Sequence, residues 1–234
     1  MPTLTIYRAD SAGLVEQQPL RLSFVHVVYV FVFVSAVGLL GETLVSYVID
    51  GRWESRAGFL FLPLSSIYGV GAVLITLAVN PLRGKNPILQ VLAAAVVGGV
   101  LEYTAGWLLE VRYGIVAWSY IDQPLNFHGH ASVAVSLVWG VIGFAWVRWG
   151  LPVVVRAVDR LPQRPVRLVA KILLVLLVVD GAMTLVAFDC WFLRTSGVPV
   201  EGAIQQFFAA HFDDTFMASR FETMSMWPSL ASRW

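Results

Sequence analysis

Residues 86–109 form an apolar run long enough to cross a bilayer as a helix, and a single charge, Glu102, interrupts it. A helix rises about 1.5 Å per residue, so about 20 apolar residues span the hydrocarbon core. A carboxylate inside such a run costs on the order of 3 kcal/mol to insert. A structural partner or a function must offset that cost. Glu42 stands in the same situation, inside the apolar run from Phe24 to Ile49. The chain therefore reads as an all-α, polytopic transmembrane helix bundle with buried carboxylates.

Composition agrees. Of 234 residues, 58% are hydrophobic and only 13% are charged, whereas soluble domains carry about 25% charged residues. No basic stretch points to nucleic acid. Cys190 is the only cysteine, which excludes an intramolecular disulfide and a cysteine-based zinc site. Arg8, Asp10, Glu16 and Arg21 precede a first apolar run of about 26 residues, longer than the roughly 7–15 residues of a signal peptide. We expect that run to be kept as an anchor. The organisation we expect is a cytoplasmic segment over 1–23, a transmembrane bundle over 24–194 and an amphipathic tail over 195–234.

Hydropathy suggests five spans: 24–49, a second within 57–82, then 86–109, 131–155 and 168–193. In the second, Pro63 closes an extended or re-entrant lead-in before the helix proper. Lys and Arg in the short loops set the orientation. Arg8, Arg21, Arg83, Lys85, Arg148, Arg156, Arg160, Arg164, Arg167 and Lys171 fall on one side. That side is expected to be cytoplasmic, which puts the N-terminus inside in a bacterial inner membrane and the C-terminus outside. On the other side, residues 111–130 form a long loop rich in aromatics, expected to fold over the mouth of the bundle. In the tail, Val200, Ile204, Phe207, Phe208, Phe212, Phe216 and Phe221 recur at helical spacing. That is the pattern of an amphipathic helix lying on the membrane surface.

Several polar groups are candidates for chemistry. Glu42 and Glu102 each lie about 12 Å along their helix from its outer end, so they can share one site, as a cation- or proton-binding pair or an acid/base pair. Alternatively Arg52, Arg56 or Arg112 pairs with them and fixes the bundle. Arg56 and Tyr68 flank a Gly-Phe-Leu-Phe-Leu-Pro segment and can hold an anionic group, or simply mark a loop-to-helix junction. In the long loop, Asp122, Asn126, His128 and His130 offer polar side chains. His-x-His presents both rings to one side only on a strand, and Gly129 between them signals a turn, so we assign no metal. One histidine as an acid/base, or both as loop hydrogen-bond partners, are the readings kept. Asp180, deep in the last span, is either part of a proton path or hydrogen-bonded to a neighbouring helix. Trp53, Trp107, Trp118, Trp139, Trp146 and Trp149 read as an aromatic belt.

Three stretches together resemble a known family. They are Gly41-Glu42 with Trp53-Glu54; Arg56-Ala-Gly-Phe-Leu-Phe-Leu-Pro-Leu-Ser-Ser-Ile-Tyr-Gly-Val-Gly-Ala72; and Leu101-Glu-Tyr-Thr-Ala-Gly-Trp-Leu-Leu-Glu110 leading into Trp118-Ser-Tyr. Pro124-Leu-Asn-Phe-His-Gly-His and Ser136-Leu-Val-Trp-Gly140 continue the likeness, which covers about residues 36–155. The chain resembles the type IV ABC-transporter, or CmpB-like permease, family of bacterial polytopic membrane proteins. The resemblance implies a multi-span protein that helps to move a solute, and it supplies no substrate.

Absences narrow the choice further. Gly84-Lys85 is followed by Asn86, and Val79 stands where a P-loop needs its first glycine. Without a Walker A site, ATP-driven transport would need a separate ATPase subunit on the cytoplasmic side. No Gly-x-Ser-x-Gly elbow or His-Glu-x-x-His motif appears, and we assign no cofactor. The reading is a transport-related permease component with an outward-facing polar site. Glu42, Arg56, Tyr68, Glu102, Trp107, Asp122 and Asn126 are the candidate binding residues. The alternative is a membrane-embedded enzyme acting on a lipid or lipid-linked substrate, with Glu42, Glu102, His128 and His130 as the candidate catalytic groups. Besides the lipid bilayer, a homo-oligomeric partner is a further expectation.

Overall fold

The computed structural model describes residues 18–226; residues 1–17 of the expected cytoplasmic segment and 227–234 of the tail lie outside the described residues. The chain runs through α1 (Phe24–Asp50), α2 (Ser66–Val79), α3 (Pro87–Tyr113), α4 (Val133–Ala145), α5 (Leu151–Arg160), α6 (Gln163–Thr195), α7 (Ala203–His211) and α8 (Asp214–Arg220). Four two-residue strands, β1 (Ile115–Val116), β2 (Asn126–Phe127), β3 (Ala131–Ser132) and β4 (Ser225–Met226), form two small antiparallel pairs, β1 with β4 and β2 with β3. The protein is an all-α transmembrane bundle. Four helical stretches, Phe24–Ile49, Pro87–Tyr113, Val133–Arg160 and Gln163–Thr195, are long and apolar enough to cross a membrane, and Ser66–Leu82 is a shorter apolar helix.

Local chemistry sets where these helices begin and end. Ser23 caps α1 in a reciprocal box with His26, and Asn86 caps α3 ahead of Pro87 at its first turn. Gly51 and Gly114 close α1 and α3 in the left-handed conformation, which costs glycine little. Between α4 and α5 the helix widens to a π turn over Trp146–Gly150, where the Leu151 N–H reaches back to the Trp146 carbonyl. That shift, just before Pro152, takes the usual donor from the Val147 carbonyl. The Arg83 guanidinium donates to it instead.

The second expected span, within 57–82, is thus only the short helix α2, and its shortness has a physical explanation. Residues 57–65 are not helical, yet Ala57, Phe59, Leu60, Leu64 and Ser65 are buried. Buried backbone polar groups must find protein partners, and these find them on α6, α1 and the tail. The Leu60 N–H donates to Thr184 Oγ1 at 2.9 Å, and the Phe61 and Leu62 N–H groups donate to the Asp180 carboxylate, the latter at 2.6 Å. Arg220 donates to the Phe59 and Leu62 carbonyls at 3.0 and 2.8 Å, and the Ser65 N–H donates to the Ser35 carbonyl. Asp180 therefore holds the lead-in to α2, rather than facing a neighbouring carboxylate.

The tail differs from the single surface helix its periodicity suggested. Asp213 caps a new helix through the Phe216 N–H and splits the stripe into α7 and α8. Phe208, Phe212, Met217 and Phe221 are buried in a cluster with Leu60, Ile115, Phe188 and Trp191, and β4 pairs with β1 in the long loop. The stripe thus seats on the bundle, because its aromatics find a protein surface there; Ile204 and Phe207 stay exposed.

Contacts sort the basic residues by end. The Leu20 N–H donates to Asn80, His26 meets Asp159 at 3.0 Å, and the Tyr29 hydroxyl donates to the Val166 carbonyl. These place the start of α1, the end of α2 and the α5–α6 turn together, and with them Arg83, Lys85, Arg156, Arg160 and Arg164. At the opposite, distal end lie the ion pairs Arg112–Asp189 and Arg194–Asp214, each at 2.7 Å.

Candidate functional site

Near the distal end a cavity of about 240 Å³ opens between α1, α2, α3 and α4. Glu42 comes from α1, Tyr68 from the first turn of α2, Leu101, Glu102 and Ala105 from α3, and Trp139 from α4. Arg56, Ala57 and Gly58 of the lead-in form one wall, while Trp118, Tyr120, Thr223 and Met224 cover the top. The cover is tied down by the β1–β4 pair, so the long loop and the tail share it. Small residues make room for the large ones. A side-chain carbon at Gly38 would run into the Tyr68 ring, and one at Gly98 into Trp139.

The two glutamates differ in how they are satisfied. Arg56 lies 3.8 Å from Glu42 and 3.0 Å from Glu54, and it also donates to Ser46 Oγ, which in turn donates to Glu54. One guanidinium thus serves two carboxylates. Glu102 is 7% exposed and accepts a hydrogen bond from the Tyr120 hydroxyl at 3.0 Å. Its second oxygen, Oε2, is buried without a hydrogen bond among the described residues. The Trp139 and Tyr68 side chains are further polar neighbours. Burial, with Glu102 beside it, pushes the Tyr120 phenol above the usual tyrosine range, so Tyr120 acts at neutral pH as a donor.

A second cavity, of about 170 Å³, shares Tyr68, Glu102, Tyr120 and Trp139 with the first. Its other walls are apolar: Val34, Ala72, Ile75, Val135, Val138, Ile142, Gly143 and Trp146. Val138 and Ile142 are more than half exposed on the apolar surface of α4, so this slot leads from the polar cavity toward the lipid-facing side.

The helices that line both cavities fall within one family model, described as "Putative ABC-transporter type IV", which matches residues 29–185. This chain belongs to that family. No curated protein and no solved structure matches it. The ABC-transporter-type family and the apolar helices together make this a membrane transport-related protein. The family match ends within α6, so Thr223 and Met224, the tail's share of the cover, lie beyond it.

The other sequence candidates go elsewhere. His128, His130 and Trp107 line a separate cavity with Tyr103 and Glu110, where His130 stands 3.6 Å from Glu110. Trp118 divides that cavity from the first, and its indole N–H donates to the His130 carbonyl. The histidines and the two cavity glutamates are therefore not assembled into one acid/base set. Asn126 is engaged in shaping the loop: it donates to the Ile121 and Gln123 carbonyls and accepts from the Gly129 N–H. Asp122 is exposed on the loop. Arg112 pairs with Asp189 rather than with either cavity glutamate.

Three aromatic residues of the cavity are ones that the sequence places elsewhere or leaves unassigned. Trp139 and Trp118 read as belt residues, yet they line the cavity, while Trp146 donates from its indole to Thr76 Oγ1 at 2.8 Å. The available signal for Trp139 is its place well inside a span rather than at its end. Tyr120 carried no signal beyond its membership of an aromatic loop.

Proposed function

We propose that this membrane transport-related protein is a permease component whose outward-facing solute site is the cavity lined by Glu42, Arg56, Tyr68 and Glu102. The observation that supports the reading most is that these four residues, from three helices and the lead-in, line one cavity. A polar cavity in a bundle is a substrate pathway by default, because intramembrane ionisable groups are costly to keep. Energy would come from a separate ATPase, docked at the end that carries Arg83, Lys85, Arg156, Arg160 and Arg164. The positive-inside rule makes that end cytoplasmic and the cavity end external. The alternative enzyme reading loses support from the separation of His128 and His130 from the glutamates.

Access decides between these orientations. With Cys190→Ala to remove the buried native thiol, Ser66→Cys in the cavity wall and Lys85→Cys at the basic end are each exposed to a membrane-impermeant maleimide in spheroplasts. Ser66→Cys is expected to label in sealed spheroplasts and Lys85→Cys only after they are opened. Labelling of Ser66→Cys only after opening would overturn the outward-facing site.

A further inference from the structure

We propose that the cavity binds an amphiphilic organic cation, with an ammonium headgroup against Glu102 inside a ring of aromatic side chains and an apolar tail in the adjoining slot. This deepens the function proposed above and rests on it only in taking the cavity as a substrate site.

The charge arrangement selects the sign of the headgroup. Arg56 is already bracketed by Glu42 and Glu54, whereas Glu102 has no ion pair among the described residues and keeps one buried oxygen without a hydrogen bond. A buried carboxylate is costly to leave half satisfied, and an arriving cation relieves that cost by charge pairing, adding a charge-assisted hydrogen bond where the headgroup carries an N–H. An anion would meet two carboxylates and one guanidinium whose terminal nitrogens already face Glu42, Glu54 and Ser46, and whose buried Nε alone is left without a hydrogen bond among the described residues. The walls around Glu102 favour the same sign. Tyr68, Trp118, Tyr120 and Trp139 all line the cavity, with the Tyr68 and Trp139 ring centroids 5.7 Å apart. Aromatic faces attract ammonium groups, most strongly where water is excluded.

The shape selects the rest of the ligand. A free inorganic cation would need several oxygen ligands, and here the groups near Glu102 are mainly rings. Three of those rings, Tyr68, Tyr120 and Trp139, belong to both cavities, and the second is otherwise walled by apolar side chains and leads toward the lipid-facing surface of α4. A headgroup at Glu102 therefore points its substituents into about 170 Å³ of apolar space. An amine or quaternary ammonium with an alkyl tail fills both parts; a hydrophilic ion fills only one.

The test uses the full-length protein in neutral maltoside micelles, with binding followed by quenching of tryptophan fluorescence. Dodecyltrimethylammonium is expected to bind saturably, and more tightly than tetramethylammonium, dodecanol or dodecanoate. Glu102→Gln should weaken it by about tenfold or more, while the exposed tail variant Glu201→Gln leaves it unchanged. If Glu102→Gln does not fold, Trp139→Phe serves in its place, with an expected loss of about threefold. Unchanged affinity in the folded variant, or dodecanoate binding as tightly as the cation, would overturn the proposal. The two readings fail separately. Ser66→Cys labelled from outside with no cation binding removes the ligand class alone, and cation binding with no outside labelling removes the orientation alone.

Discussion

Asp180→Ala is the sharpest test of how the bundle tolerates non-helical backbone at membrane depth. Asp180 is 4% exposed, and its carboxylate accepts the Phe61 N–H at 3.2 Å and the Leu62 N–H at 2.6 Å. Alanine leaves both donors without that acceptor in a medium that offers no water, at about 1–3 kcal/mol each. It also strips a countercharge from Arg220, whose guanidinium burial pushes below its ordinary range while Asp180 holds it up. The combined loss is about 3–5 kcal/mol, the range for removing one partner of a buried charged pair. Asp180→Asn keeps one acceptor oxygen and should lose about 1–2 kcal/mol. The assay is unfolding of purified protein in mixed micelles by dodecyl sulfate titration, followed by circular dichroism. Combining Asp180→Ala with Arg220→Met should cost less than the two single changes added together, since the paired groups then disappear at once. Asp180→Ala within about 1 kcal/mol of wild type would refute the reasoning. So would an Asp180→Asn protein of unchanged stability that has lost all function, because that result would make the carboxylate part of a proton path.

Gly98→Ala should destabilise the bundle by about 1–3 kcal/mol by overpacking, since the added carbon meets Trp139 Cδ2 at 2.9 Å and lies still closer to Cβ and Cγ; a stability equal to wild type in the same titration would show that α4 can shift to accommodate it. Reporter fusions at Lys85 and Arg164 are expected to report a cytoplasmic location and a fusion after Trp234 an external one; an external signal at Lys85 or Arg164 would overturn the proposed orientation, and an internal signal from the last would overturn the odd span count.

How much of this the sequence carries depends on which physical quantity a residue obeys. Span positions depend on hydropathy summed along one helix, so α1, α3, α4 with α5, and α6 are legible without any knowledge of their neighbours. The lead-in before α2 is legible for a local reason too, since Pro63 interrupts a run that is otherwise long enough. Glu42 and Glu102 reach one cavity from similar distances below the ends of their helices, which is again a one-helix measurement. Pairings are another matter. Arg56 and Arg112 stand at the same end of the molecule and carry the same charge, and only the packing of α3 against α6 commits Arg112 to Asp189. The tail shows the limit most clearly. Its aromatic stripe measures how much apolar surface must be covered, at about 25 cal/mol per Å² removed from water, and says nothing about what covers it. A membrane surface and the cluster of Leu60, Ile115, Phe188 and Trp191 satisfy the stripe equally well at the level of periodicity. What favours the protein surface is Asp213, which breaks the helix so that Phe208 and Met217 can both turn inward, and Arg220, which reaches the Phe59 and Leu62 carbonyls. A charged side chain seven residues beyond a helix-capping aspartate is the kind of signal that periodicity discards, because it has meaning only once the exposed carbonyls of a distant segment are known to need a donor.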